Sequence, residues 1–373
     1  MTALVTAPAL PNRWLVLALV GLLGPGAAQA AASAPTRSDD AYHLAQFAGG
    51  PHDANYVEWW YFNVEDPAQG LQLAVTYAVL DPLNVSGFGL SSVAAIAYTP
   101  GGHFTETAVY PTTAFHASPA QADVLIADGS SAAWNYTQVL SDEVYRVVGS
   151  IHQGHDVSWN LFYVRRDSAW LGADREHVGL FPWEEMSWLQ YMPAAFVTGE
   201  VVVDGRPYHV TNIPGYHDHN WGEWIPFTVT WNWAQFIGPG LTFSMGDFRN
   251  SAAGVVSVDS FGQRTVFEKD QYRLIHDQWS YDPVNQLWFP TSTWLYAQDD
   301  DRTLVVWLGA IETVPVRPPP QVPLPLVPVI YEQTADYVGW VWDKDAAGGW
   351  QLARSFRGQG FKEYTGVTAV PAP

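Results

Sequence analysis

Residues 214–224 read PGYHDHNWGEW, the densest gathering of proton-transferring groups in the chain. Two imidazoles, two carboxyls and an amide stand here among three aromatic rings. Gly215 and Gly222 bracket them, so the backbone can bend on either side. On an extended strand, His217 and His219 share one face, and Asp218 and Asn220 share the other. Asp218 then cannot lie between both imidazoles. Such a cluster suits general acid–base chemistry, with a carboxyl as proton donor and a histidine handling water. It also suits a purely structural hydrogen-bond network at a domain junction.

A second acid sits in residues 58–62, EWWYF. Glu58 lies among aromatics, where burial favours the neutral, proton-donating form. The competing role for Glu58 is an ion pair with an arginine or a cap at a strand edge. The other polar groups read as structural. Asp247 and Arg249 are spaced as an ion pair, and His152, His155 and Asp156 as a polar turn. A metal site at His217 and His219 needs a third ligand, for which Glu223 and His209 are the candidates. Nothing else has metal spacing, so no metal and no cofactor is expected. There is no Gly-x-Ser-x-Gly elbow, dinucleotide fingerprint or phosphate loop.

The elements that must position these groups are strands. The chain has 373 residues, 48% apolar and only 14% charged, with 19 Trp, 18 Tyr and 17 Phe. That ring surface can fill a core or line a pocket for an apolar small molecule. From residue 42 onward the apolar pattern alternates in short runs separated by Gly, Pro, Asn and Asp, which predicts an all-β sandwich or barrel. Residues 231–237 echo 59 onward, and 254–268 echo the hairpin at 94–106. The run from Gly339 through Gly360-Phe361 echoes Gly199 through Tyr216. The order is kept, which predicts a duplicated β unit covering 42–223 and 224–366. The proline-rich stretch 314–328 reads as an insertion in the second unit.

A formal net charge of -20 argues against nucleic acid and anionic membranes as partners. Near the N-terminus, Arg13, a short apolar run over 14–23 and the small residues Ala28-Gln-Ala30 form a secretory signal pattern over residues 1–30. That run is too short to span a bilayer, so a secreted or periplasmic protein without a transmembrane segment is expected. The chain holds no cysteine, so a large core must supply the stability.

Residues 58–62 and 215–222 (GYHDHNWG) together resemble the lipocalin-like carotenoid 1,2-hydratase superfamily (hydroxyneurosporene synthase). That superfamily also takes in the secreted kievitone hydratase of fungi and fungal decalin-forming Diels–Alderases. The resemblance covers nearly all the mature chain and implies two tandem lipocalin-like β-barrels with an apolar pocket near their interface. It leaves the reaction open, because the superfamily includes hydratases, cyclases and pericyclases. A carotenoid enzyme would act inside the cell at a pigment-bearing membrane, so export fits the kievitone hydratase branch better.

Hydration of a terminal isoprenoid double bond needs an acid in a dry place and aromatic faces for a tertiary cation. Asp218 is the expected donor and Glu58 its rival. Trp60, Trp231 and Trp233 would provide the faces, and His217 or His219 would orient or deprotonate water. Tyr61, Tyr216, Asn220 and Trp221 complete the expected substrate-binding set. The alternatives are a polyene cyclase or pericyclase in the same pocket, and a non-catalytic carrier of an apolar ligand.

Overall fold

The computed structural model describes residues 34–127, 134–321 and 324–369. The signal sequence expected over residues 1–30 lies outside them. Strand accounts for most of the chain; three short 3-10 turns are present, and there is no α-helix among the described residues. None of the described segments is a helix long and apolar enough to cross a membrane.

Twelve strands form the first sheet. They are β1 (Tyr56–Asp66), β2 (Leu71–Leu80), β3 (Leu90–Thr99), β4 (Gly102–Pro111), β5 (Phe115–Ala117) and β6 (Val124–Ala127). The remainder are β7 (Trp134–Ser141), β8 (Val144–His152), β9 (Asp156–Arg165), β10 (Trp170–His177), β11 (Glu185–Val203) and β12 (Arg206–Glu223). Nine more form the second sheet: β13 (Trp231–Gly238), β14 (Leu241–Phe248), β15 (Gly254–Ser260), β16 (Gln263–Glu268) and β17 (Tyr272–Asp282). It ends with β18 (Leu287–Gln298), β19 (Arg302–Val316), β20 (Val327–Lys344) and β21 (Trp350–Thr368).

The first sheet curls into a nearly closed barrel and the second into a half-barrel, as an all-β tandem requires. Their strand orders share one motif. The first runs β4-β3-β2-β1-β12-β11 and the second β16-β15-β14-β13-β21-β20. The ends of the proline-rich stretch are themselves strand: Val314 pairs with Glu332, and Val327 with Thr368.

Local chemistry sets the registers. The two-residue turns Asp204-Gly205 and Phe261-Gly262 have positive φ at both positions, 48° and 75° in the first, 53° and 78° in the second. That is the hairpin geometry that follows the twist of the strands. Alternation then sends Trp60, Phe62, Tyr77, Val93, Tyr145 and Leu161 into the barrel, all fully buried. At about 1.5–3 kcal/mol for each large apolar side chain withdrawn from water, these rows fix which face is inside. Phe236, Phe243, Val258, Leu304 and Tyr337 fill the half-barrel. A third cluster joins the sheets, with Tyr61, Trp188 and Tyr216 from the first meeting Trp233, Ile237 and Phe361 of the second.

Candidate active site

The two sequence motifs are neighbours in one sheet. β1 and β12 pair antiparallel, with Trp60 opposite His219, Tyr61 opposite Asp218 and Phe62 opposite His217. Each strand alternates, so the motifs divide between two environments.

The inward face carries Glu58, Trp60, His217, His219 and Trp221. Asp40 and His43, from the segment before β1, reach the same interior. His219 bridges the two acids, with Nε2 2.8 Å from Glu58 Oε1 and Nδ1 3.3 Å from Asp40 Oδ1. His217 contacts Asp40 Oδ2 through Nε2 at 3.0 Å and the Tyr61 carbonyl through Nδ1 at 2.9 Å. Glu58 also accepts the His43 backbone N–H at 3.1 Å and the Tyr56 hydroxyl. His219 stacks on Trp60, His217 on Phe62 and His43 on Trp221. Burial pushes the Glu58 carboxyl up, but hydrogen bonds from His219 and His43 outweigh it and hold the group below the usual range. Burial likewise opposes charge on His219, yet Asp40 and Glu58 lift it above the ordinary imidazole value. These groups therefore form ion pairs. Glu58 is a carboxylate, not the neutral acid expected from its aromatic neighbours.

The other face carries Asp218, Asn220, Tyr216 and Tyr61, and points at the second sheet. Here lies a narrow cleft with a cavity volume of about 50 Å³, open on one side to solvent. Its rings are Trp59, Tyr61 and Trp188 from the first sheet, and Trp231, Trp233 and Phe248 from the second. The polar wall consists of Asp218, Asn220, Asn232 and Glu363. Asp218 is 4% exposed. Its Oδ2 accepts from Trp188 Nε1 and Tyr216 OH, each at 2.8 Å, and Oδ1 accepts from Asn220 Nδ2 at 3.2 Å. Burial raises the Asp218 carboxyl to about 7 against the opposing pull of Trp188, Tyr216 and His217, with Glu363 adding to the rise. Desolvation wins because the donors are neutral dipoles, whereas the medium has lost its water.

The Trp188 indole is clamped between two glycines. A Cβ on Gly172 would sit 2.6 Å from its Cε3, and one on Gly246 2.7 Å from its Cζ3. Only the missing side chains let the ring lie flat with Nε1 on Asp218. Beyond Trp188, Gly246 and Phe248 a second hollow opens, rimmed by Glu176, Glu268, Lys269 and Asp270.

Of the residues expected to act together, Asp218, Tyr61, Asn220, Trp231 and Trp233 share the cavity, with Tyr216 behind Asp218. Glu58, His217, His219, Trp60 and Trp221 face the barrel interior. A histidine on that side cannot hand water to Asp218 across the strand. Of the two third ligands weighed for a metal at His217 and His219, His209 is exposed and pairs with Glu200. A different trio, His43, Glu58 and His219, has the ligand types and proximity for a metal. His43 Nδ1 and His219 Nε2 both contact Glu58 Oε1, at 3.3 and 2.8 Å. Asp247 pairs with Lys269 instead of Arg249, whose guanidinium stacks on Tyr364. Side chains two apart at a strand end diverge when partners lie on different neighbours.

Sequence reasoning missed Asp40, His43, Trp188, Glu332 and Glu363. Glu332 faces Glu363 across β20 and β21, and accepts the Tyr61 hydroxyl at 3.2 Å.

No protein-family model matches the chain, and no curated protein matches it. Solved structures do share its fold. A protein assigned as AttH from Nitrosomonas europaea superposes with a TM-score of 0.64 at 15% identity, over 94% of this chain and 100% of that one. CghA superposes with 0.58 at 12% identity, over 93% and 96%. Kievitone hydratase from Nectria haematococca gives 0.55 at 13% identity, over 86% and 91%.

Proposed function

We propose that this protein is a cofactor-independent hydratase that adds water to a terminal isoprenoid double bond, working after export and removal of its first 30 or so residues. One observation carries the reading: a buried carboxyl that stays protonated up to about pH 7 opens on a cavity walled by six aromatic rings. Protonating an alkene needs an acid that is neutral in its resting state, and Asp218 meets that need. Deprotonated, it keeps the Trp188, Tyr216 and Asn220 donors, which stabilise the carboxylate left behind.

The tertiary cation that follows has no hydrogen bonds to offer. It is held by ring faces, each contact contributing about 0.5–2 kcal/mol in a desolvated site. Trp59, Trp231 and Trp233 line the cavity for that purpose. Asn220 and Asn232 can hold a water in the same space. The fold shared with kievitone hydratase is consistent with a hydratase and adds nothing about the substrate.

The test is turnover in deuterated, 18O-labelled water, with a dimethylallyl-substituted phenol and an acyclic carotene as probes. Hydration places deuterium beside a new tertiary alcohol bearing 18O, and EDTA leaves the rate unchanged. Deuterium without 18O would mean a cyclase. An isomerised product with neither label would mean a pericyclase, and tight binding without turnover a carrier.

A further inference from the structure

We propose that Glu363 is the second catalytic carboxyl of this cavity, the base that takes the proton from the attacking water, with Glu332 holding the pair's one shared proton. The proposal rests on the hydratase reading of the same site.

The duplicated architecture places Glu363 where it is needed. Tyr61 stands opposite Asp218 in the β1–β12 pair, and Trp233 stands opposite Glu363 in the β13–β21 pair. Both acids follow a glycine by three residues, in Gly215-Tyr-His-Asp218 and Gly360-Phe-Lys-Glu363. Trp59 and Trp231 precede Tyr61 and Trp233 by two residues and line the cavity with them. The Tyr61 and Trp233 rings meet edge-on at 5.5 Å. Glu363 is thus the counterpart of Asp218 in the second unit, and the two acids look into one cavity.

The environments of the two acids differ in a way that divides the work. Glu363 Oε2 accepts the Trp231 indole N–H at 2.6 Å, and a hydrogen bond joins its carboxyl to that of Glu332. Two carboxyls in contact cannot both ionise. Burial raises both, and the charge on Glu363 holds the Glu332 proton far above its ordinary range. Glu363, with two donors, is the member that ionises. The other titratable groups facing it are Asp218 from β12, Tyr61 from β1 and Tyr98 from β3. Its charge helps keep Asp218 protonated and attracts the cation.

The proton count closes. Asp218 gives its proton to the CH carbon of the terminal double bond, and the π pair becomes the new C–H bond, leaving the tertiary cation on the neighbouring carbon. A water lone pair forms the C–O bond to the tertiary cation, and Glu363 removes a proton from the resulting oxonium. Asp218 is left ionised and Glu363 protonated, and solvent returns the proton after product release.

Two measurements test this on the full-length mature protein. The first needs no substrate: carboxyl NMR of 13C-labelled Asp218 in the wild type and in Glu363→Gln. Loss of the neighbouring charge shifts the Asp218 titration to lower pH. The second is hydration of the dimethylallyl phenol across pH. Glu363→Gln loses on the order of 10²-fold or more in kcat, as removal of a general base does. Trp231→Phe, which deletes one donor to Glu363, moves the acidic limb of kcat/KM to higher pH and leaves the alkaline limb in place. A Glu363→Gln enzyme with wild-type kcat overturns the proposal, as does an Asp218 titration that does not move. If the wild type hydrates neither probe while the titration does move, the charge relation stands and the base role falls with the hydratase reading.

Discussion

Asp218→Asn separates the cost of the acid from its use. Holding a carboxyl protonated up to about pH 7, against an ordinary 3.8, disfavours the native state wherever the unfolded chain would ionise. At 1.36 kcal/mol for each pKa unit, the handicap reaches about 4 kcal/mol at pH 7 and above. Its sign is fixed: a raised acid leaves stability intact below pH 4 and removes it as pH climbs from 4 to 7. Asparagine keeps the shape and carries no such handicap. The variant should unfold at nearly the wild-type denaturant midpoint at pH 4, and at a clearly higher one at pH 8. Hydration should fall by about 10²–10⁴, the contribution of a general acid. The assay is urea unfolding at several pH values beside turnover of the dimethylallyl phenol. Parallel stability curves for the two proteins would refute the claim that burial keeps Asp218 neutral. Wild-type turnover in the variant would refute its role as the donor.

Two further variants test the walls of the site. Trp188→Phe removes the N–H that favours ionised Asp218, so the alkaline limb of kcat/KM should move above pH 7; a limb that stays in place would mean the indole does not tune the acid. Glu58→Gln should cost about 3–5 kcal/mol, because it leaves the buried His219 charge with one carboxylate, Asp40, where it had two. Asp40 and Glu58 are both held below their usual range. The stability they supply is present above about pH 4 and lost on further acidification, so Glu58→Gln should also flatten the acid limb of the stability curve, as read by thermal unfolding.

Much of this site was legible because strand alternation is rigid. The spacing alone put His217 and His219 on one face and Asp218 and Asn220 on the other, and the register of β1 and β12 keeps them there. What could not be read was which face met the second sheet, since both carry rings and acids. Glu58 was misjudged for a related reason. Its neighbours in sequence are tryptophans, but its partners in space are His43 and His219, 15 and 161 residues away. Asp40 and His43 precede the first strand and follow no periodic pattern. Glu363 did leave a signal in the repeat Gly360-Phe361, three residues ahead of it. Carrying the repeat two positions further aligns Glu363 with Asp218.

The buried ion pairs and the cavity are connected mechanically. A proton donor acts only if its carbon skeleton is held still, and Asp218 belongs to a strand whose alternate residues are anchored inside the barrel. His217 is tied to the Tyr61 carbonyl and to Asp40, and His219 to Glu58 and Asp40, each ring stacked on its neighbour from β1. Those contacts lock β12 to β1 on the face that water cannot reach. The opposite face of the same two strands then presents Tyr61 and Asp218 to the cavity in a fixed relation. The second sheet has no such lock among the described residues. Lys362 occupies the place of His217, and its ammonium donates to the Pro290 carbonyl at 3.3 Å. Rigidity is thus built into the side that carries the acid. Glu363 draws its definition from Glu332 on the neighbouring strand and from Trp231, which lines the cavity.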